Sequence, residues 1–219
     1  MSDERSVPVP FVAATLLGCA SLVLCQLSDL EIGAAASKIV ASTAFLAVAV
    51  RSGAFRSRYG QVLFAGLACA WCGDMFLLGS SRQLFLAGLI SFLLGHIAYV
   101  IAFSLHGLND KWSLTTVFPV AAVSVLVTVW LTPYLPEDMI VPVRAYTFVI
   151  SLMVITAFGT RGAGGPTLIP VGATLFYLSD LSVAAGQFIE PAFPNYVWGL
   201  PFYYTGQLLL ALSVRYARI

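Results

Sequence analysis

Long apolar segments alternate with short polar breaks along the whole chain. Eight apolar runs can be read from the sequence, each close to the roughly 20 residues that a membrane-spanning helix needs. Their bounds are 10–28, 32–50, 61–79, 84–105, 114–132, 139–159, 167–187 and 197–215. No polar segment between them is long enough for a separate soluble domain. The pattern predicts an all-α polytopic membrane protein with about eight transmembrane helices, forming a single domain over residues 1–219.

The amino-acid composition agrees with this prediction. Hydrophobic residues make up 59% of the chain and charged residues only 10%, whereas a soluble domain normally carries about 25% charged residues. The chain therefore has too few charges to build a water-exposed surface. The formal net charge of +1 gives no basic or acidic excess, so we expect no nucleic-acid partner.

The basic residues near the predicted helix ends collect on one side of the membrane. With the N-terminus inside, the inner side holds Arg5, Arg51, Arg56, Arg58, Lys111, Arg161, Arg215 and Arg218. The outer side holds Arg82 together with the acidic residues Asp29, Glu31, Glu137, Asp138 and Glu190. The positive-inside rule then predicts that both termini are cytoplasmic. We expect an integral protein of a bacterial inner membrane.

Four charged residues lie inside the apolar runs rather than in the breaks: Lys38, Asp74, Arg144 and Asp180. A charge at the bilayer centre costs about 2.5–3.5 kcal/mol on insertion scales, so such residues normally pair or face the bundle interior. The two aspartates have the same separation in sequence as the two basic residues. This coincidence indicates an internal repeat.

The segments around the two aspartates also resemble each other, since Trp71–Asp74 reads WCGD and Tyr177–Asp180 reads YLSD. The shift between them corresponds to four helices, which preserves the orientation of each helix. We therefore predict two parallel four-helix repeats, 1–112 and 113–219. A pseudo-two-fold axis would bring Asp74 and Asp180 together, with Lys38 and Arg144 at a comparable depth.

Two aspartates in a poorly hydrated pocket favour a state with one protonated acid and one carboxylate. This division suits acid–base hydrolysis. Two other interpretations remain open at this point. Buried acid–base pairs can simply fix helix register, and intramembrane charges can form a proton or ion relay in a transporter.

Further polar side chains could line the same pocket. His96 and Tyr99 share one face of the fourth helix. Hydrogen-bonding candidates elsewhere are Tyr146, Tyr177, Ser179, Tyr203, Tyr204 and Gln207. Tyr203 and Tyr204 could instead be anchors at the membrane interface. His96 and His106 lack further ligands at short spacing, so no metal site is predicted.

Two groups of residues resemble the signatures of a known family. The first consists of Gly73–Leu78, Phe85, Gly88, Phe92, His96, Tyr99 and Phe103, and the second of Gly172, Ala173, Phe176, Ser179, Asp180, Phe188, Tyr204 and Gln207. Together they resemble the YhhN-like lysoplasmalogenase membrane proteins over the whole chain. Lys38 matches that family, but Ile39 stands where the family usually has proline.

The resemblance implies an eight-helix hydrolase that cleaves the vinyl ether bond of lysoplasmalogens. The products would be a fatty aldehyde and glycerophosphocholine or glycerophosphoethanolamine, and the partner a lysophospholipid within the membrane. Asp74 and Asp180 would carry the acid–base chemistry, and His96 and Tyr99 would orient water or substrate. Lys38 and Arg144 would bind the phosphate or hold the ionised aspartate. No metal or organic cofactor is required; the alternative function is a proton-coupled or lipid transporter.

Overall fold

Eight α-helices account for most of the described chain. The computed structural model describes residues 7–189, 194 and 196–216, and these contain no β-strand. The helices are α1 Val9–Leu27, α2 Glu31–Arg51, α3 Arg58–Phe76, α4 Arg82–His106, α5 Asp110–Leu131, α6 Glu137–Gly162, α7 Leu168–Phe188 and α8 Tyr196–Ser213. The predicted all-α architecture is confirmed. Of the charges used to predict orientation, Arg5, Glu190 and Arg218 lie outside the described residues.

Polar side chains cap the N-termini of three helices. The side chains of Ser57, Ser81 and Asn109 accept hydrogen bonds from backbone amides in the first turns of α3, α4 and α5. Each cap satisfies an amide that has no partner within its helix, and so fixes the residue at which the helix begins. These caps lie in the polar breaks that the sequence pattern placed between the apolar runs.

Six of the eight helices are long and apolar enough to cross a membrane: α1, α2, α4, α5, α6 and α7. α3 and α8 have 19 and 18 residues, but their mean hydropathy is lower. Polar and aromatic residues that face the bundle interior account for part of the difference, since α3 carries Asp74, and α8 carries Tyr203, Tyr204 and Gln207 among its buried residues. A helix surrounded by other helices does not need a uniformly apolar surface.

Neighbouring helices pack in the same order in both halves of the chain. α1 packs on α2 and α3 on α4, and correspondingly α5 packs on α6 and α7 on α8. The two halves meet where α8 packs on α1, α2 and α3 and where α4 packs on α6. Exchanging the halves turns the α2–α8 contact into the α4–α6 contact, but the contacts of α8 with α1 and α3 have no equally extensive counterpart at α4, so the symmetry between the halves is partial.

Glycine residues allow the closest helix approach within each half. A Cβ atom on Gly95 would lie 3.1 Å from the carbonyl oxygen of Gly66, and a Cβ atom on Gly206 would lie 2.9 Å from that of Gly172. Gly66 and Gly172 stand at the same position in sequence relative to Asp74 and Asp180. The α3–α4 and α7–α8 crossings are therefore built alike.

An ion pair marks one end of the bundle. Arg82, the first residue of α4, pairs with Asp138 in the first turn of α6, and both side chains are exposed. Because consecutive helices run in alternating directions, this end also holds the start of α2 and α8 and the end of α3, α5 and α7. We call it the Arg82 end; α1 begins and α8 ends at the opposite end.

Candidate active site

Asp74 lies near the end of α3 and is held by two hydroxyl groups. Its Oδ2 atom accepts hydrogen bonds from Ser42 Oγ on α2 at 2.6 Å and from Tyr203 OH on α8 at 2.7 Å. Only 5% of the residue is exposed. The Ser42 hydroxyl also lies 3.1 Å from Tyr204 OH, so Asp74 belongs to a chain of hydroxyl groups that joins three helices.

Asp180 lies on α7 and has a different set of neighbours. Its Oδ2 atom accepts a hydrogen bond from Tyr146 OH on α6 at 2.6 Å. The Ser179 hydroxyl is 3.5 Å from Oδ1, and His96 Nε2 on α4 is 3.6 Å from Oδ2. The imidazole ring packs against Phe176 and Tyr146, with ring centroids 4.6 and 5.2 Å apart.

The two aspartates have equivalent positions in the two halves. Each lies on the third helix of its half and accepts a hydroxyl from the second helix of the same half. Each also contacts a side chain from the fourth helix of the other half, namely Tyr203 on α8 for Asp74 and His96 on α4 for Asp180. The halves are thus joined at the carboxylates.

Both carboxylates line a single cavity of about 190 Å³ at the Arg82 end. Five of the other polar residues predicted for the site line it as well: Lys38, Tyr146, Tyr177, Ser179 and Tyr203. The remaining wall is mostly apolar and comes from α3 to α8, including Leu77, Phe85, Leu89, Phe92, Val127, Leu131, Val143, Ile150 and Leu200. The convergence of Asp74 and Asp180 inferred from the repeat therefore agrees with their position in the fold.

The two intramembrane basic residues are placed differently. Lys38 is half-buried, lines the cavity and is close enough to Asp74 for an electrostatic interaction. Arg144 is exposed on α6 and lies outside the cavity wall. Residues two apart in a helix face nearly opposite directions, so the inward position of Tyr146 turns Arg144 outward. The structure does not bring Arg144 into the cluster that its sequence spacing suggested.

Four other predicted site residues lie behind the cavity wall. His96 is fully buried and reaches Asp180 from behind. Tyr99 OH donates a hydrogen bond to Gln207 Oε1 at 2.7 Å, and both residues are fully buried between α4 and α8. Tyr204 contacts Ser42 rather than a carboxylate. None of the four lines the cavity, so they lie behind the side chains that form its wall.

Ser42 was not among the predicted site residues, yet it donates a hydrogen bond to Asp74, as the predicted Tyr203 also does. Ser42 follows Lys38 by one helical turn, so the two share a face of α2. This spacing was a usable signal. Tyr203 could not be separated from Tyr204 by sequence, because adjacent tyrosines near a helix end also suit an interfacial anchor.

The arrangement brings together two carboxylates, a cation and several hydroxyl donors beside an apolar wall. Within the described residues no group of three or more His, Cys, Asp or Glu side chains could hold a metal ion. Two carboxylates in one cavity can give and take protons on either side of a bound molecule. The apolar wall and Lys38 suit a ligand with a hydrocarbon part and an anionic part.

Fold and cavity together define a polytopic α-helical membrane protein with an intramembrane two-carboxylate site. The chain belongs to the YhhN family, whose family model matches residues 33–214. The resemblance noted in the sequence is thus confirmed.

Curated relatives carry a functional name. Human lysoplasmalogenase TMEM86B is 31% identical over 155 residues, which cover 71% of this chain and 64% of that protein. Human lysoplasmalogenase TMEM86A is 32% identical over 157 residues, covering 69% and 64%, and its bovine counterpart is 29% identical over 162 residues, covering 69% and 64%. The match thus spans less than two thirds of these relatives' length. No solved structure gives a significant match.

Proposed function

We propose that this protein is a membrane hydrolase that cleaves the vinyl ether bond of lysoplasmalogens. The products are a fatty aldehyde and a glycerophospho-base. The observation that carries the proposal is the pair of carboxylates in one largely apolar cavity, Asp74 and Asp180. The similarity to proteins named lysoplasmalogenase supports it.

The reaction begins with a proton transfer to carbon. Asp180, as the acid, donates a proton to the β-carbon of the vinyl ether, which leaves an oxocarbenium ion. Asp74 accepts two hydroxyl hydrogen bonds and acts as the carboxylate that stabilises this cation, in the way that paired carboxylates serve glycosidases. Asp74 then takes a proton from the attacking water, and a hemiacetal forms.

Collapse of the hemiacetal restores both aspartates. Asp180 takes the proton of the hemiacetal hydroxyl as the carbonyl group forms. Asp74 returns its proton to the glycerol oxygen as the carbon–oxygen bond breaks. The cycle consumes one water molecule and ends with Asp180 protonated and Asp74 ionised, as it began.

The supporting residues position the reacting groups. Tyr146 holds Asp180, and Ser42 and Tyr203 hold Asp74. His96 contacts Asp180 from the buried side and so restrains its orientation. Lys38 attracts the lipid phosphate, for which charge-assisted contacts are among the strongest.

Direct detection of the aldehyde tests this function. Purified protein in detergent is given a panel of lysoplasmalogens with choline and ethanolamine headgroups, alongside ester-linked lysophospholipids. We expect aldehyde release from the vinyl ether lipids only. Asp110→Asn is the matched control for later aspartate variants, because Asp110 is exposed at the start of α5 and outside the cavity.

A transporter built on the same charges behaves differently. It needs a sealed compartment, so movement of lipid or protons appears only in closed vesicles. Aldehyde release in detergent micelles, where no gradient exists, therefore separates the two functions. If protein that is folded in detergent releases no aldehyde from any of these lipids, the hydrolase proposal is wrong.

A further inference from the structure

The cavity changes character from one side of the bundle to the other. Its charged groups are Lys38, Asp74 and Asp180 on α2, α3 and α7. The wall on α4, α5 and α6 is mostly aliphatic and aromatic, and Tyr146 and Thr147 on α6 are its hydroxyl-bearing members. We call the following apolar residues of this wall the apolar arm: Phe85, Leu89, Val127, Leu131, Val143 and Ile150.

The packing of the helices shows where the apolar arm lies relative to the charged groups. α2 packs against α1, α3 and α8, whereas α5 packs against α6. Lys38 on α2 and Leu131 on α5 therefore lie on opposite sides of the bundle. α7 packs between α6 and α8, and α3 contacts α2, so the two aspartates lie between these sides. The order across the cavity is cation, carboxylates, then hydrocarbon.

A lysoplasmalogen has its parts in the same order: an anionic phosphate, a glycerol with the vinyl ether, and one hydrocarbon chain. We propose that the apolar arm holds this chain, and that Val127 and Leu131 set the longest chain that the cavity accepts. The inference rests on the proposed function for its substrate. It adds the direction in which that substrate lies and the residues that select its length.

The burial of Val127 and Leu131 agrees with a position at the end of the apolar arm. Leu131 is only 1% exposed, and Val127 is half-buried, so both face the interior from a helix that otherwise exposes many apolar residues. The chain enters the arm from a bilayer that is itself apolar, so the arm selects chain length by steric fit and packing and not by transfer out of water. A side chain that shortens the arm therefore weakens the binding of long chains and leaves short chains unaffected.

The sharpest test narrows the arm. Val127→Phe adds a ring on the cavity side of α5, and Val125→Phe adds the same ring at a position that is 61% exposed. The probes are saturated octyl and octadecyl ether lysophospholipids, which cannot be hydrolysed, bound to the full chain in nanodiscs. We expect Val127→Phe to weaken octadecyl binding by tenfold or more and to leave octyl binding unchanged. Val125→Phe should behave as the wild type for both.

A second variant, Leu131→Ala, lengthens the arm instead of narrowing it. It keeps the inference testable if Val127→Phe fails to fold. Its preference should therefore shift toward longer chains, while Leu126→Ala, on the exposed face of α5, should cause no shift. Equal loss of octyl and octadecyl binding in Val127→Phe, or no shift in Leu131→Ala, overturns the inference. Length-dependent binding without aldehyde release would instead overturn the proposed function and leave the arm in place.

Discussion

At the scale of single residues, the hydroxyl groups around Asp74 are the feature that sets the site apart from a buried ion pair. Ser42 and Tyr203 donate to the same carboxylate oxygen, Oδ2, and Asp74 lines the cavity. A carboxylate held in this way keeps one oxygen fixed and offers the other to a ligand or to water. The hydroxyl groups therefore have a positioning role.

Ser42→Ala tests this role. The substitution removes one of two hydrogen bonds to a carboxylate, each worth about 1.5–3 kcal/mol, so we expect aldehyde release to fall by about tenfold to a hundredfold. The control is Ser213→Ala, because Ser213 is also fully buried and shares a 2.6 Å hydrogen bond with Tyr59. That variant should lose stability and keep its turnover. Equal losses of turnover in both variants would assign Ser42 a structural role only.

Lys38 and Arg144 give a second prediction at this scale. Lys38 lines the cavity and Arg144 does not, so only Lys38→Ala should weaken lysoplasmalogen binding. Loss of one charge-assisted contact is worth about 1.5–3 kcal/mol, and we expect KM to rise by about tenfold or more. Steady-state kinetics of both alanine variants, which give KM and kcat, test this prediction. A normal KM and kcat in Lys38→Ala would assign Lys38 to the lipid interface.

The residues that could be predicted from sequence are those whose chemistry conflicts with their surroundings. Asp74, Asp180 and Lys38 stand out because charges inside apolar runs are costly. Ser42 stands out only by its spacing from Lys38, because hydroxyl residues in membrane helices commonly bond to their own backbone, as Thr15 does with the Phe11 carbonyl. Arg144 was misplaced because the pattern gives its position along the helix and not the face it occupies.

At the scale of elements, the glycine crossings determine where the site helices lie. α8 brings Tyr203 to Asp74, and the Gly172–Gly206 contact holds α8 against α7. The α3–α4 crossing at Gly66 and Gly95 does the same for the other half. Small residues at these points let the backbones approach closely enough for the side chains to meet.

Gly206→Ala tests the importance of the α7–α8 crossing. The new Cβ atom would lie 2.9 Å from the backbone oxygen of Gly172, which cannot move aside without shifting α7. We expect a loss of about 1–3 kcal/mol in the free energy of unfolding, measured as thermal unfolding in detergent. Gly33→Ala is the control, because its Cβ atom would meet side-chain atoms only, the nearest being Cys25 Sγ at 2.8 Å, which can move by rotation of the Cys25 side chain. Equal stability of the two variants would show that the crossing tolerates a wider spacing.

Helix number and order could be predicted because apolar runs and polar breaks determine them directly. The lower hydropathy of α3 and α8 could be seen in the sequence, but its cause could not. Whether an aromatic or polar residue faces a neighbouring helix or the membrane interface depends on which helices surround it. Tyr99 and Gln207, which hydrogen-bond to each other across α4 and α8, show this dependence.

At the scale of the whole molecule, the cavity occupies only one half of the bundle. The helix positions of its lining residues lie toward the Arg82 end, from Phe85 near the start of α4 to Leu131 at the end of α5. If the termini are cytoplasmic, as the basic residues predict, the cavity lies in the outer half of the membrane. A lipid would then reach it from the outer leaflet.

Cysteine labelling tests this orientation. Ser80→Cys lies at the Arg82 end and Phe55→Cys lies in the loop before α3; both positions are exposed. With the four native cysteines replaced, a membrane-impermeant maleimide should label Ser80→Cys in intact cells. Phe55→Cys should react only after permeabilisation. The reverse pattern would place the cavity in the cytoplasmic half of the membrane.

Aldehyde release by Asp74→Asn, Asp180→Asn and the double variant is the most direct measurement of whether two carboxylates act together on the vinyl ether. Because one turnover needs proton transfers by both groups, each single variant should lose about 10²-fold or more of its turnover, and the double variant should lose little beyond that. Asp110→Asn should retain full activity, and all variants should remain folded in detergent. Wild-type turnover in either Asp74→Asn or Asp180→Asn would contradict the two-carboxylate mechanism.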